Sequence, residues 1–237
     1  MTPKAIFFDL DGTLLPMDQG KFTNGYFKYL AQELCPLGIE PQPLIDAVWA
    51  GTKAMVKNDG STVNKTVFWD KFAEETGKDS AIFEPVATHF YSEGFHKGRQ
   101  FTEPNPLAKR AVELAGGGGR RVALATNPIF PMVGQRTRLS WIGLTPEDFE
   151  LVTCYETDRF CKPNPEYFLS VCRRMELDPA DCLMVGNDEN EDMFAATAAG
   201  LRGYLVTDCL LPSTEHPWGG ERGSFADLLK MLESLPK

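Results

Sequence analysis

The chain has 237 residues, with 24 lysines and arginines against 33 aspartates and glutamates, a net charge of -9 and a pI near 4.9. Its apolar (43%) and charged (24%) fractions sit near globular averages, which allows a packed core and excludes wholesale disorder. So acidic a chain offers no field to offset phosphate repulsion, which excludes non-specific nucleic-acid binding; a phosphorylated small molecule would need a local cation.

Taken in chain order, the apolar run Ala5–Phe8 reads as a buried strand that ends in the turn Asp9-Leu10-Asp11-Gly12. Asp9 cuts the run too early for a signal peptide, and no later segment has the apolar length of a membrane span. A soluble, cytoplasmic protein with no membrane partner is expected. Residues 16–103 contain no convincing buried strand and read as amphipathic helices over 24–35, 41–57, 65–76 and 81–96. Polar segments with glycine or proline flank this block at 18–23 and 98–106, so it reads as a helical insertion with two hinges.

Beyond it, strands over 121–126, 150–154, 183–186 and 203–206 alternate with helices over 106–115, 131–142, 164–175 and 191–199. This alternation predicts an α/β fold with a mostly parallel sheet, whose ligands bind at the carboxyl ends of the strands. Asp9, Thr126 and Asp188 all lie just past strand ends, so one crevice can collect them. The glycines 116–119 precede a strand and no GK[ST] follows, which makes them a link and not a phosphate loop. The six cysteines show no CxxC spacing and read as reduced thiols.

Four segments carry chemistry. In Asp9-Leu10-Asp11-Gly12-Thr13, two carboxylates at i and i+2 can share one turn, one to ligate a hard cation and attack phosphorus, the other to exchange protons. A helix cap is the plain alternative; a calcium loop fails, because its twelfth position falls on Gly20 instead of a glutamate. Asp188 and Asp192, after a strand and at the start of a helix, can face one Mg²⁺, while Glu189 and Glu191 read as helix-terminus charges. Lys162, near a helix start, offers a compact charge for phosphate oxygens or is simply solvated, and Thr126-Asn127 offers a hydroxyl and amides.

Together these segments resemble the four motifs of the haloacid dehalogenase-like superfamily, in the branch with a helical cap after the first strand. The resemblance implies a Rossmann-like core over 1–15 and 104–237 and a cap over 16–103. It implies Asp9 as nucleophile, Asp11 as general acid/base that also offers its carbonyl to Mg²⁺, and Thr126, Asn127 and Lys162 as phosphate ligands, Lys162 also neutralising Asp9. Asp188 would ligate the metal and Asp192 would support it. One departure stands out: Asn187 occupies the place before the metal aspartate where glycine is usual.

Asp11 and the acidic pair favour phosphate over halide, and the expected substrate is a small phosphorylated metabolite. Alternatives are a sugar-phosphate mutase with the same covalent chemistry, or a phosphate-sensing protein without catalysis. A Schiff-base route through Lys53, Lys57 or Lys65 has nothing to mark it. His89, His96, Lys97, Arg99, Trp49 and Trp69 are candidates for the crevice wall.

Overall fold

The computed structural model describes residues 2–236. β1 (Ala5–Phe8) is central and fully buried, because the sheet is covered on both faces: Ile6 and Phe8 enter one apolar cluster, Ala5 and Phe7 the other. α1 (Gln19–Leu34), α2 (Pro41–Val56), α3 (Asn64–Thr76) and α4 (Ser80–Ser92) follow before the chain returns to the sheet. α5 (Ala108–Ala115) then leads to β2 (Arg121–Leu124), α6 (Met132–Ser140) to β3 (Leu151–Val152), and α7 (Pro165–Arg174) to β4 (Cys182–Gly186). A π-helical turn (Glu189–Phe194) and α8 (Ala195–Ala198) precede β5 (Arg202–Val206), β6 (Arg222–Gly223) and α9 (Phe225–Ser234). Among the described residues the sheet has the order β3-β2-β1-β4-β5-β6, all pairs parallel, so the expected α/β class holds.

The register positions the site. Phe8 pairs with Leu124 and with Val185, so β1, β2 and β4 end at one level. The ladder runs one step further, with Asp9 N–H donating to the Val185 carbonyl (2.9 Å) and Ala125 N–H to that of Phe8 (2.7 Å).

Both expected hinges are more ordered than their composition suggests. Asp18 caps α1 by accepting from Lys21 N–H (3.0 Å), so residues 19–23 form its first turns. Gly94–Phe101 is a 3₁₀ run and not the tail of α4. The two linkers bridge each other at Met17 and Thr102, with Glu103 N–H donating to the Pro16 carbonyl (2.8 Å). The helix expected over 191–199 is divided between the π-helical turn and α8. β6 and α9 were not expected; α9 starts at a Ser224/Asp227 capping box.

α2 and α3 pack closely at Gly51, where a Cβ would stand 2.6 Å from Phe68. α1, α4 and the 3₁₀ run share an aromatic cluster with the sheet side of the molecule, in which Phe22 and Phe95 meet Trp141. No helix among the described residues is long and apolar enough to cross a membrane. All six cysteines are free thiols, Cys35 and Cys209 half-buried and the others buried.

Candidate active site

Asp9, the first residue past β1, is buried, and its Oδ1 accepts from Lys162 Nζ at 3.0 Å. The same ammonium donates to Asp192 Oδ1 at 2.6 Å and is 1% exposed, so the solvated-lysine alternative fails. Burial pushes the Asp9 carboxyl up to about 8, against the pull of Lys162. Burial works against the charge of Lys162, but Asp192 and Asp9 outweigh it and hold the ammonium well above its usual range.

The turn after β1 depends on Gly12, at φ +91°, whose missing Cβ would lie 2.3 Å from Asn187 Nδ2. Asn187 accepts from Thr13 Oγ1 (3.0 Å) and donates to the Cys209 carbonyl (2.7 Å). The residue that departs from the family pattern therefore stitches the β1 turn to the end of β4. Gly186 allows Asp192 to fold back beneath it: a Cβ there would stand 2.1 Å from Asp192 Oδ2. That oxygen accepts from the N–H groups of Asn187 (3.0 Å) and Asp188 (3.1 Å). Asp188 Oδ1 accepts from Asn190 and Glu191 N–H, both at 2.8 Å, and burial raises its carboxyl.

At the end of β2 the Thr126 carbonyl accepts from Tyr167 Oη (2.9 Å) and Thr153 Oγ1 (2.6 Å). Asn127 Nδ2 donates to Glu191 Oε2 (3.0 Å), and its Oδ1 accepts from Lys162 N–H (3.3 Å). Glu191, expected as a mere helix-terminus charge, instead faces the cavity, and burial pushes its carboxyl up to about 7. Asp11 Oδ2 pairs with Arg138, which is fully buried, also donates to Gln135 and lies 4.3 Å from the centre of the Phe130 ring. Asp11 Oδ1 is buried without a hydrogen-bond partner.

A cavity of about 400 Å³ opens over these groups. Asp9, Asp11, Thr126, Asn127, Asp188 and Asp192 all line it, and Lys162 lies behind Asp9. Of the expected wall residues only Trp49 lines it; Trp69 is buried against Phe68 and Phe72, and His89, His96, Lys97 and Arg99 are exposed elsewhere. Lys53 and Lys57 are exposed and Lys65 pairs with Glu84 (2.6 Å), so none is a desolvated amine.

Five carboxylates (Asp9, Asp11, Asp188, Glu191, Asp192) thus face two cations, Lys162 and Arg138. The excess negative charge and all-oxygen donors suit a hard cation that keeps part of its water shell. No ready-made group of three or more His, Cys, Asp or Glu ligands occurs among the described residues. Both oxygens of Asp192 are engaged, so it fits a supporting place; Asp188 retains Oδ2.

Sequence reasoning missed Arg138, Gln135 and the inward turn of Glu191. Arg136, two residues from Arg138, is exposed and paired with Glu147 (2.7 Å), and nothing local distinguishes the two arginines.

A family model described as haloacid dehalogenase-like hydrolase matches residues 3–200. The chain is 29% identical to a glyceraldehyde 3-phosphate phosphatase of Methanothermobacter thermautotrophicus, over 86% of this chain and 85% of that one. It is 27% identical to a phosphoglycolate phosphatase of Nitrosospira multiformis, over 86% and 82%. Among solved structures, a HAD phosphatase from Thermococcus onnurineus superposes with a TM-score of 0.62 at 20% identity, covering 98% of each chain; this likeness speaks for the fold.

Proposed function

Because the chain belongs to the haloacid dehalogenase-like hydrolase family, we propose that it is a Mg²⁺-dependent phosphatase of small phosphomonoesters that works through an aspartyl-phosphate on Asp9. The observation that carries this reading is the pairing of buried Asp9 with Lys162 at the end of β1, beside Asp11 and within the same cavity as Asp188. A carboxylate and an ammonium buried together form a poor structural device but a suitable site for a dianion that arrives with its own counter-cation.

In this mechanism Asp9 attacks phosphorus, the ester P–O bond breaks, and the leaving oxygen takes a proton from Asp11. A water then attacks the phosphoryl group, returns a proton to Asp11 and frees inorganic phosphate as the Asp9–P bond breaks. Asp11 Oδ2 is held by Arg138, so the partnerless Oδ1 is the oxygen that carries the proton. Thr126 and Asn127 hold phosphoryl oxygens, and Lys162 keeps Asp9 oriented and balances charge. Mg²⁺, held by Asp9, the Asp11 carbonyl and Asp188 with Asp192 behind it, would supply charge neutralisation of the transferring phosphoryl group. Residues 16–103 act as a cap over the strand ends, and the cytoplasmic setting read from the cysteines belongs to the same proposal.

The test is phosphate release from a panel of phosphorylated metabolites. Activity should vanish in EDTA, return with Mg²⁺ and return poorly with Ca²⁺, whose longer, less directional bonds would misplace Asp9. Asp9→Asn should lose several orders of magnitude with an unchanged circular dichroism spectrum. Activity retained in that variant would remove the covalent route.

A further inference from the structure

The upper wall of the cavity differs in kind from its floor. α1 contributes Phe22 and Phe27, α2 contributes Val48, Trp49 and Val56, and α3 contributes Phe68. Among the described residues no lysine, arginine or histidine lines the cavity, and the polar side chains on this wall are Gln19, Thr23, Tyr26 and Thr52, the Tyr26 hydroxyl being already paired with that of Tyr91 (2.7 Å). Trp49 is 51% exposed although its indole lies 5.4 Å from the Phe27 ring, and Val56 is 37% exposed. These are two of the few large apolar side chains left open to water, and both border the cavity.

Resting on the phosphatase reading, we propose that the substrate is a phosphomonoester whose alcohol part is an uncharged, apolar, ring-bearing group. The two positive charges behind the cavity's carboxylates are both committed, Lys162 to Asp9 and Asp192 and Arg138 to Asp11. A second anionic group beyond the phosphate would therefore be desolvated against Phe22, Phe27 and Val48 with no cation to meet it. Carboxylated esters such as phosphoglycolate are selected against on that ground. Sugar phosphates are disfavoured because Gln19, Thr23, Thr52 and a Tyr26 hydroxyl already paired with Tyr91 are too few to satisfy a ring of hydroxyls. A planar ring, by contrast, covers the open face of Trp49 and gains contact with Phe27 and Phe68.

The test compares kcat/KM for benzyl phosphate, phosphoglycolate and glucose 6-phosphate, all primary alkyl esters, so that the leaving groups are comparable. Benzyl phosphate should lead by about tenfold or more, mainly through KM, the scale expected when contacts in an apolar pocket differ. Thr52→Lys, which puts a cation on the wall, should cut the benzyl-to-glycolate ratio at least about tenfold, with the fold checked by circular dichroism. A wild-type preference for phosphoglycolate or glucose 6-phosphate would overturn the substrate inference while leaving the phosphatase reading intact, and so would an unchanged ratio in the variant. Release of phosphate from none of the three, nor from the wider metabolite panel, would overturn the phosphatase reading and this inference with it.

Discussion

Arg138 and Arg136 stand two residues apart on α6, yet one is fully buried against Asp11 and the other is exposed and paired with Glu147. The buried arginine gives Asp11 a fixed orientation, because its fork also holds Gln135 and its plane lies against Phe130. Arg138→Leu should destabilise the protein by about 3–5 kcal/mol, the scale for breaking one side of a buried pair, and should lower kcat more than it raises KM. Arg138→Lys should recover stability only in part, since an ammonium cannot reproduce both contacts. Thermal unfolding and steady-state kinetics check this pair; a variant with wild-type kcat would mean that Arg138 supports packing alone. Asp11→Asn, which leaves the shape but removes the proton carrier, should slow turnover by about 10²–10⁴-fold.

At the scale of elements, the end of β4 is the part most finely arranged. Gly186 leaves room for Asp192 to turn back onto the amides of Asn187 and Asp188, and Asp188 in turn caps the π-helical turn. Gly186→Ala should push Asp192 off those amides and away from Lys162. The expected result is a Mg²⁺ requirement raised at least about tenfold, the lower end of what losing a supporting partner costs, read from titrations of activity. Asp188→Ala should raise the same requirement more steeply, because it removes a ligand and not its support. Indifference of either variant to Mg²⁺ concentration would reduce the acidic cluster to a helix terminus.

Across the whole molecule, the helices between β1 and β2 are tied down at more than their two linkers. Asn64, fully buried at the start of α3, donates to the Pro128 carbonyl and to Cys161 Sγ, both at 3.3 Å, and accepts from Asn58 Nδ2 at 2.8 Å. Arg159 reaches back to the carbonyls of Gly60 and Ser61, and Lys65 N–H donates to that of Tyr155 (2.7 Å). If residues 16–103, proposed above as a cap, also open and close over the site, Asn64 is the latch. Asn64→Ala should favour the open form, raising KM several-fold and increasing amide exchange in α2 and α3, at a stability cost of about 1–3 kcal/mol. Unchanged exchange and unchanged KM would argue that these helices do not move. The same anchoring argues against simply excising the insertion, since Phe22 and Phe95 cover Trp141 on the sheet side.

The parts that are written locally can be read along the chain. Strand β1 was legible because both of its faces are buried, which leaves an unbroken apolar run, and Asp9 and Asp11 were legible because a carboxylate pair directly after such a run has few structural uses. The crevice at the strand ends followed from the alternation of strands and helices alone. Which further charges meet came from the packed structure: that Lys162, set against Asp9 by the family resemblance, also binds Asp192, that Arg138 and not Arg136 holds Asp11, and that Glu191 turns inward to Asn127. It likewise decided that Trp49 lines the cavity while Trp69 is buried in the aromatic cluster. The physical reason is range. Apolar runs, caps and turns arise from neighbours a few residues apart, whereas Lys162 is separated from Asp9 by 153 positions and Arg138 from Asp11 by 127, distances that only the packed sheet and its helices close.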